Sequence, residues 1–588
     1  MYELLNKING PEDVKKLSLQ QLNDLASEIR EALFNRLTHV GGHFGPNFGI
    51  VEAEIALHYV FNSPYDKIVF DVSHQSYPHK MLTGRRDGYI NNDKFAEDSG
   101  YTNPEESKHD LFNIGHTSTS ISLATGLCKA RDLLGGKENV IALIGDGSLS
   151  GGEALEGLNV AGSELNSNFI VIVNDNQQSI SETHGGLYKS LADLRQTNGT
   201  SKNNIFTAFG LDYVYLDEGN DIAKLIELFT KVKDIDHPIA VHINTQKGKG
   251  YLPAETNKEA WHWTMPFDRE TAKPLVDLSN IPSYTDAARQ FVMDKAAKDD
   301  KFVVVTPNMP GSFGITADMR AKLGKQFVDV GIAEEQAVAM ASGLAKGGAK
   351  PLVLTNTTFM QRAYDQISQD VCINNSDVTI LLNYANFDGL TDVTHLGIFG
   401  ISAFSNIPNL AVLAPTNKDE LVEALNWAID RSKRPVLILM PSGEVVEGQN
   451  VQPISGEKYT VTQQGEKVAI LAAGDFFNKG QLVAEQIKSK SRFCPTVINP
   501  LFVSEVDKDL LDRLSKTHSV FVTLEDGILD GGFGQKIASY CARKGVKVFN
   551  YGLNRVFYDR YDPQQLLCSL GITPEQIAND VANALQTK

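Results

Sequence analysis

Short apolar runs alternate along the chain with segments that have helical spacing. The apolar runs are rich in β-branched residues and lie at 139–145, 169–175, 301–306, 351–355, 378–383, 435–440, 468–474 and 520–525. Such runs, separated by helix-length segments, predict parallel strands that are covered by helices on both faces. The predicted fold class is therefore α/β with mainly parallel sheets.

Residues 51–61 show the helical spacing. Their apolar positions recur at i, i+3, i+4, i+7 and i+8, at Ala53, Ala56, Leu57, Val60 and Phe61. This spacing predicts a helix with one apolar face, on which His58 has a structural role.

Two segments lose this periodicity and predict domain boundaries. Residues 271–283 carry two prolines and are predicted to form a linker, and the residues around 442–460 are polar and rich in Gly and Pro. The chain is therefore predicted to contain three consecutive α/β domains, at 1–270, 284–445 and 455–588.

Composition narrows the class of protein. Of 588 residues 42% are hydrophobic and 22% charged, which excludes wholesale disorder. The net charge of −17 argues against nucleic acid or an anionic membrane as a partner. Five scattered cysteines without a C-x-x-C pair disfavour a disulfide framework and predict a cytoplasmic location. The absence of a long apolar stretch predicts a soluble protein.

The sharpest chemical motif joins the ends of two predicted strands. Asp146 directly follows the strand at 139–145 in a Gly-rich turn, and Asn176 follows the next strand, thirty positions later. Carboxylate and amide oxygens suit Mg²⁺, and glycines let backbone N–H groups approach a diphosphate. GDG alone is more often an ordinary turn, but its pairing with Asn176 favours a metal and diphosphate site at the carboxyl edge of a sheet.

This arrangement resembles the thiamine-diphosphate motif of the transketolase superfamily. More of the chain resembles one branch, the 1-deoxy-D-xylulose-5-phosphate synthase family, through segments at 41–62, 71–87, 113–122, 247–255, 331–345 and 358–366. The third domain is similar only through 525–534. The resemblance implies a transketolase-like fold, the cofactors thiamine diphosphate and Mg²⁺, and an assembly of two identical chains, a homodimer.

The resemblance also implies an activity and a set of site residues. Members of the family decarboxylate pyruvate and add its two-carbon unit to glyceraldehyde 3-phosphate, so the chain is expected to be a transferase with small-molecule substrates. The implied metal ligands are Asp146, Asn176 and Gln178. The implied cofactor contacts are His74, Gly115, His116, Thr117, Gly147, Ser148, Asn176, Tyr251, Glu334, Phe359 and Arg362.

Four positions are implied to be catalytic: Glu334, His43, His262 and His395. A carboxyl group against the aminopyrimidine ring is needed for this chemistry, and imidazoles exchange protons near neutral pH. The alternative is that Glu334 has no catalytic role and is present because a negative charge is favourable at the start of a helix. The adjacent Glu335 is a second carboxylate at the same place.

The expected acceptor-phosphate site departs from the family. Tyr384 and Ser442 stand where the family has arginines, Asn356 stands where it has a tyrosine, and Asp392 lies next to the position of an expected acid. Neither Tyr nor Ser replaces the charge of a guanidinium, although Arg195 is another possible source of it. Three functions stay open: the family reaction, two-carbon transfer to or from a non-phosphorylated aldehyde or sugar, and a catalytically silent binding or regulatory paralogue.

Overall fold

The first sheet contains five parallel strands in the order β1-β2-β3-β5-β4. It belongs to a computed structural model that describes residues 2–183, 185–278, 281–448, 451–491 and 493–586. The strands are β1 (Lys67–Phe70), β2 (Val140–Gly145), β3 (Phe169–Asp175), β4 (Asp212–Leu216) and β5 (Pro238–Asn244).

The second sheet contains six parallel strands in the order β10-β11-β9-β8-β6-β7. Its strands are β6 (Phe302–Thr306), β7 (Phe327–Asp329), β8 (Lys350–Asn356), β9 (Thr379–Asn383), β10 (Ala411–Leu413) and β11 (Val436–Leu439).

The third sheet has the order β12-β14-β13-β15-β16, and its β12–β14 pair is antiparallel whereas the other pairs are parallel. Its strands are β12 (Thr460–Gln463), β13 (Lys467–Ala472), β14 (Thr496–Asn499), β15 (His518–Ile528) and β16 (Lys547–Leu553). The prediction of three α/β domains with mainly parallel sheets is confirmed.

Helices connect the strands. The longer ones are α1 (Leu19–Val40), α2 (Gly45–Val60), α3 (Ser120–Leu134), α4 (Gly152–Glu164), α5 (Gly186–Gln196), α6 (Ile222–Val232), α7 (Tyr284–Lys298), α8 (Ala317–Leu323), α9 (Glu334–Lys346), α10 (Lys418–Asp430), α11 (Phe477–Lys490), α12 (Lys508–Leu514), α13 (Phe533–Cys541), α14 (Pro563–Ser569) and α15 (Pro574–Gln586). Shorter helices span Pro11–Val14, Tyr77–Lys80, Asp87–Ile90, Ile205–Ala208, Leu252–Thr256, Thr357–Met360, Tyr364–Gln366 and Gly400–Phe404. Within the described ranges, no helix combines the length and the apolar character needed to span a membrane.

The chain separates into two compact units. The first comprises the described residues up to 278 together with 331–333, and the second comprises 281–330 and the described residues from 334 onward. The first sheet lies in the first unit. The second and third sheets lie in the second unit, where one apolar cluster contains Val353 and Leu437 of one sheet and Leu471 and Phe521 of the other. The proposed domain bounds stay a prediction, and residues 279 and 280 of the predicted linker lie outside the described residues.

The helix predicted over 51–61 is present as part of α2, but its burial differs from the prediction. Residues on both sides of α2 are buried, including Glu52, Glu54 and His58. Its first apolar face packs against the first sheet and its other side packs against α1. His58 makes a 2.9 Å hydrogen bond to His79, in keeping with the structural role predicted for it.

Candidate active site

Asp146 and Asn176 directly follow β2 and β3, at the carboxyl edge of the first sheet. Strands β2 and β3 pair in parallel with Gly145 opposite Asn174, so the two following turns are neighbours. Both side chains are buried, and neither Oδ2 of Asp146 nor Oδ1 of Asn176 has a hydrogen-bond partner. Burial raises the pKa of Asp146 well above its usual value, and the nearby charge of Asp175 raises it further. Buried oxygens without partners are costly, so this pair is suited to a ligand that supplies positive charge.

Asp175, the last residue of β3, directly precedes Asn176 and is paired within the protein. It accepts a 2.8 Å hydrogen bond from Nε2 of His242 and forms an ion pair with Arg195. Burial would raise the pKa of Asp175, but its bonds to His242 and Arg195 lower it. Arg195, considered above as a source of charge for an acceptor phosphate, therefore serves a carboxylate beside the predicted metal site.

Asp71 fixes the turn that contains Gly115, His116 and Thr117. Its carboxylate accepts hydrogen bonds from the backbone N–H groups of Ser118, at 2.8 Å, and Ser120, at 3.0 Å. The Ser118 hydroxyl then donates to the carbonyl of Ser148, also at 2.8 Å. These bonds hold the turn beside the one that follows Asp146. Asp71 was not predicted as a site residue, although it directly follows β1.

Gly147 occupies a position with no room for a side chain. A Cβ atom there would lie 2.6 Å from the hydroxyl oxygen of Ser179, and the Gly147 carbonyl accepts a 3.2 Å hydrogen bond from Tyr188. Gln178 directly precedes Ser179, and its side-chain amide donates a hydrogen bond to the carbonyl of Ile180 at 3.2 Å.

Three of the predicted histidines lie together. The ring centroids of His43 and His74 are 5.0 Å apart, those of His74 and His262 are 5.4 Å apart, and those of His43 and His262 are 5.6 Å apart. The amide of Asn47 in α2 donates 2.7 Å hydrogen bonds to the carbonyls of both His43 and His74. One helix side chain therefore aligns two loops that carry predicted site residues.

Lys247 contacts His262 of this cluster, and it was not predicted to be a site residue. Its side chain is fully buried, with Nζ 2.6 Å from the carbonyl oxygen of Ser179 and 3.0 Å from Nδ1 of His262. Burial lowers the pKa of Lys247 to about 7, although the carboxylate of Asp146 opposes that shift. Burial also lowers the pKa of His262 well below its usual value, and Lys247 lowers it further. His262 is therefore a neutral imidazole near pH 7.

Tyr251 packs into an aromatic cluster. Its ring lies 5.3 Å from Phe34, 5.4 Å from Phe44 and 5.0 Å from Trp261, centroid to centroid. Its hydroxyl donates a 2.8 Å hydrogen bond to the carbonyl of Arg269. The contact of Tyr251 with a cofactor stays a prediction.

In the second unit, Glu334 is the first residue of α9. Its side chain is buried, its Oε2 has no hydrogen-bond partner, and Nη1 of Arg362 lies 3.9 Å from that oxygen. Burial raises the pKa of Glu334 to about 7, although Arg362 opposes the shift. A glutamate placed only to favour the helix dipole would have a lowered pKa, so the environment differs from that alternative.

His395 lies against Phe359, with ring centroids 5.5 Å apart. Its Nδ1 is 2.8 Å from the hydroxyl of Thr394 and 3.7 Å from Asp392. Burial would raise the pKa of Asp392, but hydrogen bonds from His395 and Thr394 lower it. The structure thus brings together three residues that the sequence singled out, His395, Phe359 and Asp392.

The predicted acceptor residues lie at the ends of adjacent strands of the second sheet. Asn356 ends β8 with its Oδ1 buried and without a partner, and Tyr384 follows β9 with a left-handed backbone, φ +50°. After β11, the Ser442 hydroxyl donates to Asp388 at 2.6 Å, and the Ser442 N–H donates to Asp475 at 3.0 Å. Two carboxylates therefore contact the turn where the family resemblance predicts an arginine.

Family models match three consecutive parts of the chain. The model described as 1-deoxy-D-xylulose-5-phosphate synthase matches residues 5–205. The pyrimidine-binding and C-terminal domain models of transketolase match 281–446 and 457–577. Together with the three sheets, these matches define a thiamine-diphosphate-dependent transferase of the transketolase type.

Curated relatives align with the chain from end to end. The 1-deoxy-D-xylulose-5-phosphate synthase of Natranaerobius thermophilus is 36% identical, and the alignment covers 100% of this chain and 99% of that protein. The protein of the same name from Clostridium beijerinckii is 38% identical, with 92% and 93% covered. The chain belongs to the 1-deoxy-D-xylulose-5-phosphate synthase family.

Members of these families use thiamine diphosphate with a divalent metal ion, typically Mg²⁺. The residues present fit both groups. Oδ2 of Asp146 and Oδ1 of Asn176 are hard oxygen donors without protein partners, as Mg²⁺ requires. The buried Oε2 of Glu334 likewise lacks a hydrogen-bond partner, as a carboxyl group that meets a ring nitrogen would.

Proposed function

We propose that the chain decarboxylates pyruvate and joins its two-carbon unit to glyceraldehyde 3-phosphate, which gives 1-deoxy-D-xylulose 5-phosphate. The observation that carries this proposal is the pair of buried, unpartnered oxygens of Asp146 and Asn176 at the ends of β2 and β3. They occur in a chain that aligns over its full length with relatives named for that reaction.

Asp146 and Asn176 hold the metal ion in this proposal, with Gln178 in the same turn as a third ligand. Backbone N–H groups of Gly147, Ser148 and the Gly115–Thr117 turn receive the diphosphate. The steric limit at Gly147 and the bonds from Asp71 support this role, because they keep both turns in place. When bound, thiamine diphosphate supplies the nucleophilic carbon and the electron sink.

Glu334 carries a proton at Oε2 toward the aminopyrimidine ring, and Phe359 and Arg362 complete its surroundings. The pKa of about 7 supports this role, because a carboxyl group with that pKa both donates and accepts near neutral pH. His74 and Tyr251 contact the cofactor.

The histidines His43, His262 and His395 move protons as the substrate oxygen changes its charge. For His262 we assign one tautomer. With the Lys247 amine, 3.0 Å away, as donor to Nδ1, the ring proton lies on Nε2, which is then a hydrogen-bond donor.

In this proposal the acceptor is bound by Asn356, Tyr384, Asp392 and Ser442. The protein acts in the cytoplasm as a homodimer, with pyruvate as donor and an aldehyde as acceptor. All five cysteines are free thiols, three of them buried, which supports a reducing compartment.

A second function is favoured by one observation, which is the contact of Ser442 with Asp388 and Asp475. Carboxylates at this turn repel a phosphate dianion, so the two-carbon unit would pass to or from an aldehyde or sugar without phosphate. A catalytically silent paralogue is the minor alternative.

The test is CO₂ release from carboxyl-labelled pyruvate by purified protein with thiamine diphosphate and Mg²⁺. Glyceraldehyde 3-phosphate and glyceraldehyde form a matched pair of acceptors that differ in the phosphate. Stimulation by the phosphorylated triose alone supports the synthase reaction, and stimulation by glyceraldehyde alone supports the second function. No release, and no transfer from ketose donors either, would contradict both and leave the silent paralogue.

A further inference from the structure

Three carboxylates converge in the second unit, and none of them belongs to the residues discussed for the metal of the cofactor. One carboxylate oxygen from each of Asp388, Asp475 and Asp526 lies within 4.8 Å of the others. Asp388 is in the loop after β9, Asp475 is in the turn after β13, and Asp526 is in β15. The group therefore joins loops of the second sheet to the third sheet.

Two buried oxygen atoms at this group lack hydrogen-bond partners. Asp526 is 7% exposed and Asn386 is 3% exposed, yet Oδ2 of Asp526 and Oδ1 of Asn386 have no hydrogen-bond partner. Asn386 is adjacent to the carboxylates because its Nδ2 donates to Asp475. Asn386, Asp475 and Asp526 line one cavity of about 20 Å³, which has room for a single water-sized species.

Burial and mutual repulsion disfavour the charged forms of the carboxylates in this group. Burial raises the pKa of Asp475 to about 7, and burial with the charges of Asp475 and Asp388 raises the pKa of Asp526 well above its usual value. Lys479 is a cationic side chain whose charge acts on Asp526 and Asp388, and burial lowers its own pKa. Tyr561 is also close, but its hydroxyl donates to the carbonyl of Phe387. Burial and the neighbouring carboxylates therefore outweigh the opposing charge of Lys479 at Asp526.

We propose that Asp388, Asp475, Asp526 and Asn386 bind one divalent cation of the Ca²⁺ or Mg²⁺ type. All four side chains offer hard oxygen atoms, which these cations prefer, and the Ser442 hydroxyl is a further oxygen at the same place. The cation satisfies the two unpartnered oxygens and removes the repulsion among the carboxylates. This site differs from the one proposed at Asp146 and Asn176, and it does not depend on the proposed reaction.

The experiment counts divalent ions in the holoenzyme. Wild-type protein saturated with thiamine diphosphate is dialysed against Mg²⁺ alone or against Mg²⁺ with Ca²⁺, and bound metal is measured by mass spectrometry. We expect one ion per chain beyond the ion held with the cofactor, and the Ca²⁺ arm identifies which cation is preferred. Asp526→Asn, which preserves shape, loses that additional ion and keeps its cofactor.

Two further variants make the result specific. Asp530→Asn removes an exposed carboxylate on the same segment and keeps the additional ion. Asp146→Asn loses the ion held with the cofactor but keeps the additional one, so failure at one site is distinguishable from failure at the other. Wild-type protein without an additional ion would overturn the proposal. The infrared spectrum gives an independent readout through the band of protonated carboxyl groups. We expect Ca²⁺ to remove part of this band in wild type but not in Asp526→Asn. An unchanged band in wild type would mean that shared protons, and not a cation, hold the group together.

Discussion

The Nζ atom of Lys247 lies 3.0 Å from Nδ1 of His262, behind the three clustered histidines. The lysine also donates to the carbonyl of Ser179, so its position is fixed from two sides. In the proposed tautomer, the lysine donates to Nδ1 and the ring proton of His262 lies on Nε2.

Replacing Lys247 by methionine tests that relationship. Lys247→Met preserves the length of the side chain but removes the donor to Nδ1, so we expect kcat to fall by roughly 10²-fold, with a change in the pH–rate profile. Cofactor affinity should change much less, and steady-state kinetics with a cofactor titration measures both. Lys231→Met, at an exposed lysine of α6, is the matched control. Equal losses in kcat and in cofactor affinity, with an unchanged pH profile, would indicate a structural role only.

Glu334→Gln should lower the activity but raise the stability of the cofactor-free protein at pH 8. The pKa of Glu334 in the folded protein is about 7, above the 4.5 of the unfolded chain, so the folded state binds more protons between these values. Stability from this group is therefore present below pH 4.5 and is lost as the pH rises through 7. We expect cofactor-free Glu334→Gln to be more stable than wild type at pH 8, by about 3 kcal/mol at most, and to lose kcat by roughly 10²–10⁴-fold.

Urea unfolding at pH 5 and pH 8 measures the stability of this variant. Glu335→Gln is the matched control, because it changes the adjacent residue of the same helical turn. If Glu335→Gln lost more activity than Glu334→Gln, the assignment of the activating carboxylate would move to Glu335.

Asp146→Asn should weaken cofactor binding and stabilise the cofactor-free protein. Removing a metal ligand is expected to lower Mg²⁺-dependent affinity for thiamine diphosphate by about 100-fold or more. The neutral amide relieves a buried carboxylate whose pKa is raised by burial, so the free energy of unfolding without cofactor should increase. Tryptophan fluorescence during a cofactor titration and urea unfolding report the two effects. Asp93→Asn, at an exposed site in the same unit, should change neither.

Arginines at 384 and 442 should improve the binding of a phosphorylated acceptor. The double variant Tyr384→Arg, Ser442→Arg adds two guanidinium groups, each able to form hydrogen bonds worth about 1.5–3 kcal/mol to a charged partner. We expect KM for glyceraldehyde 3-phosphate to fall by roughly tenfold or more, while KM for glyceraldehyde stays constant. Tyr384→Gln, Ser442→Gln supplies side chains without the charge as a control. Equal effects on both acceptors would exclude these positions from phosphate recognition.

The sequence predicted the interior of the sheets better than their edges. All eight predicted strands are present, among them β2, β3, β8 and β9. The strands at the edges, such as β1, β4 and β12, were not predicted, because short or partly exposed strands lack a continuous apolar run. Two interior strands were also missed: β14 has only four residues, and β5 contains His242 within its apolar run.

The site divides in a similar way. Asp146 and Asn176 were singled out from a motif, because each follows a predicted strand in a recognisable local pattern, and Glu334 was singled out through the family resemblance. Lys247 and Asp71 were not, since their importance arises from contacts with His262 and Ser118, which are distant in the chain or visible only in the folded backbone. The carboxylates around Ser442 were missed for the same reason, because Asp475 comes from a different sheet.

The bonds by which Asp71 holds the Gly115–Thr117 turn end on backbone amides and lie entirely in the first unit. Tyr384 and Ser442 belong to the second unit and share none of those bonds. Substitutions at Tyr384 and Ser442 therefore leave the anchoring of that turn intact. If the two regions serve acceptor and cofactor as proposed, acceptor preference can be re-engineered at Tyr384 and Ser442 one residue at a time without rebuilding the turn at Gly115–Thr117.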